Sequence, residues 1–245
     1  MRILHVSDLH FQQNWFEWLL NAAPNYDLVC IAGDWLEGRE THASFQTQID
    51  WIYTWKKRFI QTNVPLITCS GNHDLVFING IPWIKKINHN SFVPDNTTRR
   101  IKIKNETLIV TTLPYTKTKS TEKLWEKGAR EKEKTGGQWL VVNHVPPQNS
   151  KLALKSGCPT LHENLETFQP DYLLCGHEHL SPYTEDHSGY DVLTHTQCIN
   201  PGQIFRNHDI PNHCEIDTLH NCVTWNHYEP ISKKYAQLLY TENAY

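Results

Sequence analysis

The sequence predicts an α/β protein built as a layered αββα sandwich, two mixed sheets flanked by helices. Three observations carry this expectation. Short apolar runs rich in Val, Ile, Leu and Cys recur along the chain, as in Arg2-Ile3-Leu4-His5-Val6 and Tyr26-Asp27-Leu28-Val29-Cys30-Ile31-Ala32, and read as buried strands. Segments with apolar residues at helical spacing alternate with them through the first half, the βαβ pattern of a parallel sheet. Several of these runs end in His, Asp or Asn side chains, which would bring the ligand-type residues together at one rim of the sheets.

Taken in order, the strand at 2–6 ends in Ser7-Asp8-Leu9-His10, a helix is expected over Trp15 to Ala23, and the strand Tyr26 to Ala32 ends at Gly33-Asp34. A second helix, roughly Ser44 to Gln61, carries Trp51, Trp55 and Phe59 along one face, and that spacing predicts core packing. The strand Val64 to Cys69 delivers Gly71-Asn72-His73-Asp74. Ile81 to Ile87 reads as a short helix with Pro82 in its first turn, and Ile101–Lys104 and Thr107–Leu113 read as a hairpin about Asn105-Glu106.

The densely charged segment Ser120 to Lys134 is expected to be a solvated helix anchored by Leu124 and Trp125, since acidic residues interleave its lysines. The alternative is a basic-rimmed lid over an anionic substrate. The strand Trp139 to Val142 carries Asn143-His144. A helix at Leu161–Phe168 and a strand at Asp171–Cys175 follow, and the strand leads into Gly176-His177-Glu178-His179. The tail reads as strands near Val192–His195, Cys198–Ile199, Cys214–Ile216 and Cys222–Tyr228, then a final helix from Ser232 to Leu239. With no internal repeat and no flexible linker, residues 1–245 are expected to form one domain.

Charge and cysteine content narrow the function classes. A formal charge of −3 advertises neither long nucleic acid nor an anionic membrane as partner. Seven cysteines, an odd number and mostly inside apolar runs, read as reduced buried thiols of a cytoplasmic protein. No apolar run is long enough to span a bilayer. The sequence leaves the oligomeric state open.

The His, Asp and Asn clusters are the pattern of a two-metal hydrolase. In their order D-x-H, G-D, G-N-H-D, N-H and G-H-x-H, spanning Asp8 to His179, the chain resembles the calcineurin-like metallophosphoesterases. The resemblance implies the same layered fold and a phosphohydrolase with two divalent ions. Carried over block by block, it gives one ion Asp8, His10, Asp34 and His179, and the other Asp34, Asn72, His144 and His177. Imidazole, carboxylate and amide ligands suit Mn, Fe, Zn or Ni without choosing among them.

Alternation along extended segments is expected to point Asp8 and His10 to one side, and likewise His177 and His179. His73, between Asn72 and Asp74, reads as a general acid for the departing alkoxide, with the Asp74 carboxylate orienting its ring and raising its pKa. The family gives this histidine the same role. Among possible substrate contacts are Asn72, His73 and, beside the Asn200-Pro201-Gly202 turn, His195, Gln203 and Arg206; a guanidinium can grip phosphate in a bidentate fashion. His5 is expected to be a core or strand-edge histidine. His42, His89, His187, His208, His213, His220 and His227 are expected at the surface.

The expected substrate is a small phosphate ester or a nucleotide, mono- or diester. A nuclease acting on DNA or RNA ends is the alternative within the same family, weakened by the absence of a long basic or coiled-coil appendage. Protein phosphatase is disfavoured, because Asp34-Trp35-Leu36 and Asp74 stand where that branch carries Arg-Gly and Glu. A non-catalytic scaffold with this fold is opposed by the completeness of the ligand set and the presence of His73.

Overall fold

The computed structural model describes residues 1–116, 121–153, 157–205, 208–229, 232 and 234–241. In chain order its strands and helices are β1 (Arg2–Val6), α1 (Gln13–Ala22), β2 (Leu28–Ala32), α2 (Phe45–Ile60), β3 (Leu66–Cys69), β4 (Phe77–Ile78), β5 (Ile81–Pro82), β6 (Phe92–Val93), β7 (Thr97–Ile103), β8 (Glu106–Thr112), α3 (Thr121–Thr135), β9 (Gln138–Val142), α4 (Pro159–Phe168), β10 (Tyr172–Leu174), β11 (Tyr190–Leu193), β12 (Thr196–Ile199), β13 (His213–Asp217), β14 (Cys222–Glu229) and β15 (Lys234–Thr241).

Two sheets form the centre, as expected. The first has seven strands in the order β15-β14-β13-β1-β2-β3-β6, and the second has six in the order β11-β12-β10-β9-β8-β7. Each is mixed: β1, β2, β3 and β6 run parallel with β13 antiparallel to β1, and β8, β9, β10 and β12 run parallel with antiparallel strands at both edges.

Alternation along β1 explains the layering. Ile3 faces a core between the two sheets, shared with Leu140, Leu174 and Ile199, whereas Leu4 and Val6 face a second core under α1 and α2, with Trp15, Trp35 and Trp55. A third core lies beneath α3 and α4, where Trp125 meets Trp139 and stacks on Phe168. The charged α3 is thus a solvated helix packed by its apolar stripe on the second sheet. On α2, Trp55 and Phe59 are buried and Trp51 is half-buried.

The main departure is at the end of the chain. The helix expected over 232–239 is replaced by β15, which pairs with β14 from Cys222↔Thr241 to Glu229↔Lys234. The open edge of β14 supplies eight residues of ladder, and Tyr240 stacks on Tyr190 at 5.0 Å between ring centres, so tertiary pairing overrides a local helical pattern. Ile81–Ile87 divides into β5 and one short 3-10 stretch from Trp83 to Ile87. Among the described residues no helix is long and apolar enough to cross a membrane.

Candidate metal centre

The carboxyl ends of β1, β2, β3, β9 and β10 meet at one rim. There the loops after β1 and β2 run side by side, with Asp8 N–H donating to the Gly33 carbonyl and His10 N–H to that of Asp34 (3.1 and 3.0 Å). The loop after β10 joins them from the other sheet, because the His177 N–H donates to the Asp8 carboxylate at 3.0 Å. All seven sequence-predicted ligands are brought into this one cluster.

They converge for a different reason from the one expected. Asp8, His10, Asp34 and His177 have φ of 55°, 41°, 52° and 69°, in the left-handed region that non-glycine residues seldom occupy. The side chains therefore turn inward on tight, strained loops and not by strand alternation, and strain of this kind gathers at functional sites. Gly33, at φ +84°, is required as well: a Cβ there would stand 2.5 Å from the His144 Nδ1.

Asp34 lies at the centre. Its Oδ1 accepts the His73 backbone N–H at 2.8 Å, which leaves Oδ2 facing three imidazole Nε2 atoms: His144 at 3.2 Å, His10 at 3.7 Å and His73 at 3.8 Å. To one side, Asp8 Oδ1 lies 3.1 Å from His179 Nε2, which lies 3.3 Å from His10 Nε2. To the other, the Asn72 amide oxygen is 3.1 Å from His144 Nε2 and 2.9 Å from His177 Nδ1. His144 donates from Nδ1 to the Ala32 carbonyl at 2.7 Å, which fixes its ring and turns Nε2 into the site.

The electrostatics are those of buried anions in search of a cation. Burial works to raise Asp8, but the imidazoles of His179, His144 and His10 outweigh it and hold the carboxyl below its usual range; Asp34 is lowered in the same way, mainly by His144. In return, the two carboxylates overcome the burial of His144 and raise it to about 9, and Asp8 raises His179. Burial lowers His10 to about 4 and also lowers His177. The donor set fits divalent ions, because cations held here would neutralise the buried Asp8 and Asp34 carboxylates, which already face the imidazole nitrogens of His10, His144 and His179.

His73 stands at the open edge of the cluster, 4.5 Å from His10 between ring centres. Its Nδ1 donates to the Glu37 carbonyl at 3.0 Å, leaving Nε2 turned towards the site. The expectation that Asp74 orients this ring is corrected. The Asp74 carboxylate instead accepts backbone N–H bonds from Trp35, Leu36 and Gly71, tying the loops after β2 and β3 together, and burial followed by the nearby Asp34 raises it to about 8.

Sequence reasoning missed the true support of His73, since a backbone carbonyl leaves no mark on residue type. Gly38 was the available signal. It has φ +76°, and a Cβ there would overlap the His73 Nδ1. Two open clefts reach the cluster, one of about 300 Å³ beside His73 and Asn72 and one of about 250 Å³ beside His10, Glu37 and His42.

The Asn200-Pro201-Gly202 turn braces the last motif: Asn200 Nδ2 donates to the Glu178 carbonyl at 3.0 Å, and Gln203 N–H to that of His179 at 3.0 Å. Gln203 is not a substrate contact, because its buried side chain is spent on Ser7 and Asn212. His195 is exposed in the β11–β12 turn, at the end of β12 opposite the site. Arg206 lies outside the described residues. His5 is a core histidine, its Nε2 donating to the Cys175 carbonyl at 3.0 Å, and His208, His213 and His227 are buried where surface positions were expected.

A rim of carboxylates and imidazoles at the strand ends of a double-sheet sandwich is a donor set suited to divalent ions, and the family that residues 1–181 match makes the chain a hydrolase of phosphoric esters. That family is described as calcineurin-like phosphoesterase, and the chain belongs to it. A comparison with curated proteins finds no match.

Among solved structures, the chain is similar to TT1561 of Thermus thermophilus at a TM-score of 0.62 and 12% identity, covering 97% of each chain. It is also similar to the calcineurin-like phosphoesterase YfkN from Bacillus subtilis, at a TM-score of 0.58 and 10% identity over 98% of this chain and 90% of that one. At these identities the likeness is one of fold.

Proposed function

We propose that the chain is a dinuclear phosphohydrolase of small phosphate esters or nucleotides, with Asp34 shared between two cations and His73 as general acid. Asp8, His10 and His179 would complete one ion's ligands, and Asn72, His144 and His177 the other's. The observation that carries this reading is the position of Asp34 Oδ2, which faces His10, His73 and His144 at once. When bound, the cations neutralise phosphoryl oxygens and activate the attacking water.

The protein's own residues then have distinct tasks. Asn72 and His177 hold one wall, through the amide oxygen that both His177 and His144 approach. Asp8 ties the two sheets together across the site by accepting the His177 N–H. His73, with Nδ1 committed to Glu37, keeps Nε2 free to pass a proton to the leaving-group oxygen. Manganese, iron, zinc and nickel all suit this donor set, and we take manganese as the working choice. Arg206 remains a proposed phosphate contact.

We further propose that residues 1–245 form one cytoplasmic domain. This is supported by β13, β14 and β15, which lie beyond the matched residues yet extend the sheet begun by β1, and by seven free cysteines. The test is to load the purified protein with each of the four metals. It is then screened against phosphomonoesters, cyclic nucleotides, dinucleotides and short oligonucleotides. Turnover of at least one small ester is expected, and no turnover with any metal would contradict the proposal.

A further inference from the structure

The Asp8, His10 and His179 side of the centre is walled by an aromatic ring that the ligand set does not require. Phe205 lies 4.9 Å from His10 and 4.9 Å from His179 between ring centres, at 82° and 66° to them. It stacks on Trp15 at 5.7 Å and 27°. Trp15 is buried, but Phe205 is 44% exposed. Much of a large apolar ring thus stands open beside a cluster of charged and polar groups.

The loop carrying Phe205 is fastened on both sides of it. Before it, Gln203 is bonded to Ser7, His179 and Asn212. After it, His208 turns Nε2 to the Ile204 carbonyl at 2.6 Å and Nδ1 to the Ile210 carbonyl at 2.7 Å, and its ring is stacked between Trp15 and Tyr228. The Trp15 indole N–H donates to the His208 carbonyl at 2.9 Å. An aromatic ring fixed in advance loses little conformational freedom when a ligand settles on it, which makes it an efficient surface for a flat partner.

We propose that Phe205 is a stacking platform for a planar ring, so that the ester hydrolysed here carries an aryl group on its phosphate or, across a ribose, a nucleobase. The proposal rests on the phosphohydrolase reading and specifies the substrate class for that site. Replacing such a platform by alanine weakens binding of a nucleobase about five- to a hundredfold, with little preference among bases.

The test compares adenosine 5′-monophosphate, phenyl phosphate and glycerol phosphate as substrates, with inorganic phosphate as the binding probe. For Phe205→Ala, the ratio of kcat/KM on adenosine 5′-monophosphate to that on glycerol phosphate should fall about tenfold. Phe205→Trp should hold that ratio, and Phe205→Leu should behave like Phe205→Ala. A fall confined to phenyl phosphate would identify an aryl group as the ring and not a nucleobase.

Calorimetry should show weaker binding of adenosine 5′-monophosphate to Phe205→Ala, with little change for inorganic phosphate and no change in metal content. Unchanged ratios would overturn the platform. So would equal losses on all three esters together with loss of metal, because the ring would then only shield the imidazoles. Failure of the parent protein to turn over any ester or bind phosphate would instead defeat the phosphohydrolase reading, and the platform with it.

Discussion

His73 owes its position to backbone, since the Glu37 carbonyl orients the ring and Gly38 leaves room for it. His73→Ala should keep its metal content and lose about 10² to 10⁴ in rate on alkyl esters, where the leaving oxygen needs a proton. On nitrophenyl esters the loss should be much smaller. Equal losses on both leaving groups would remove the general-acid role. Gly38→Ala offers an independent probe: the left-handed backbone alone costs about 1–2 kcal/mol, and the added carbon pushes the imidazole aside. Its rate on alkyl esters should fall with the metals still in place, as read by elemental analysis.

His5 makes a different prediction. Burial lowers it from an ordinary 6.5 to about 4. Because its folded pKa lies below its unfolded one, its neutral form costs nothing above pH 6.5, and stability drains away as the pH falls from there towards 4. Between about pH 7 and pH 5 the loss is about 2 kcal/mol from this group alone. Urea unfolding in chelator at both pH values should show a flatter dependence for His5→Gln than for the parent protein; parallel curves would exclude His5 as the source.

Among the elements, the turn at Asn200-Pro201-Gly202 matters because it seats the last metal motif. The Gln203 side chain satisfies three backbone groups of Ser7 and Asn212 in the buried interior. Gln203→Ala strands them, which should cost about 2–4 kcal/mol in urea unfolding and loosen the loop bearing His177 and His179. A change under about 0.5 kcal/mol would show the brace to be dispensable.

The legibility of these elements in the sequence followed burial. Strands such as Leu28–Ala32, buried on both faces, announce themselves as unbroken apolar runs. The edge strand Lys234–Thr241 carries Leu238, Leu239 and Tyr235 in the open, and its identity is set by pairing with the preceding strand, Cys222–Glu229, which its own exposed face does not announce. In the site, residue types were legible but the left-handed turns at Asp8, His10, Asp34 and His177 were not, since they go with hydrogen bonds between loops far apart in the chain.

For the whole molecule, the layered architecture was legible because each motif sits where a strand ends, and that places the strand ends at a common rim. Charge then sets the scale of substrate the molecule suits. With a net charge of −3 and the lysines of α3 packed on the outer face of the second sheet, few phosphates beyond the scissile one have a cation to meet. The kcat/KM on a mononucleotide-sized ester should therefore fall only modestly between low and physiological salt, and lengthening an oligonucleotide should bring little gain. A steep salt dependence with rates rising along the chain would favour a nuclease.

The proposed dinuclear centre is tested most directly at Asp34, whose Oδ2 faces His10, His73 and His144. Metal content and ester hydrolysis are to be measured together on the parent protein and on Asp34→Asn, before and after chelation. The parent should lose activity with chelator and recover it with manganese, whereas Asp34→Asn should hold both ions weakly and remain inactive. An Asp34→Asn protein that keeps two tightly bound ions and full activity would contradict the shared carboxylate.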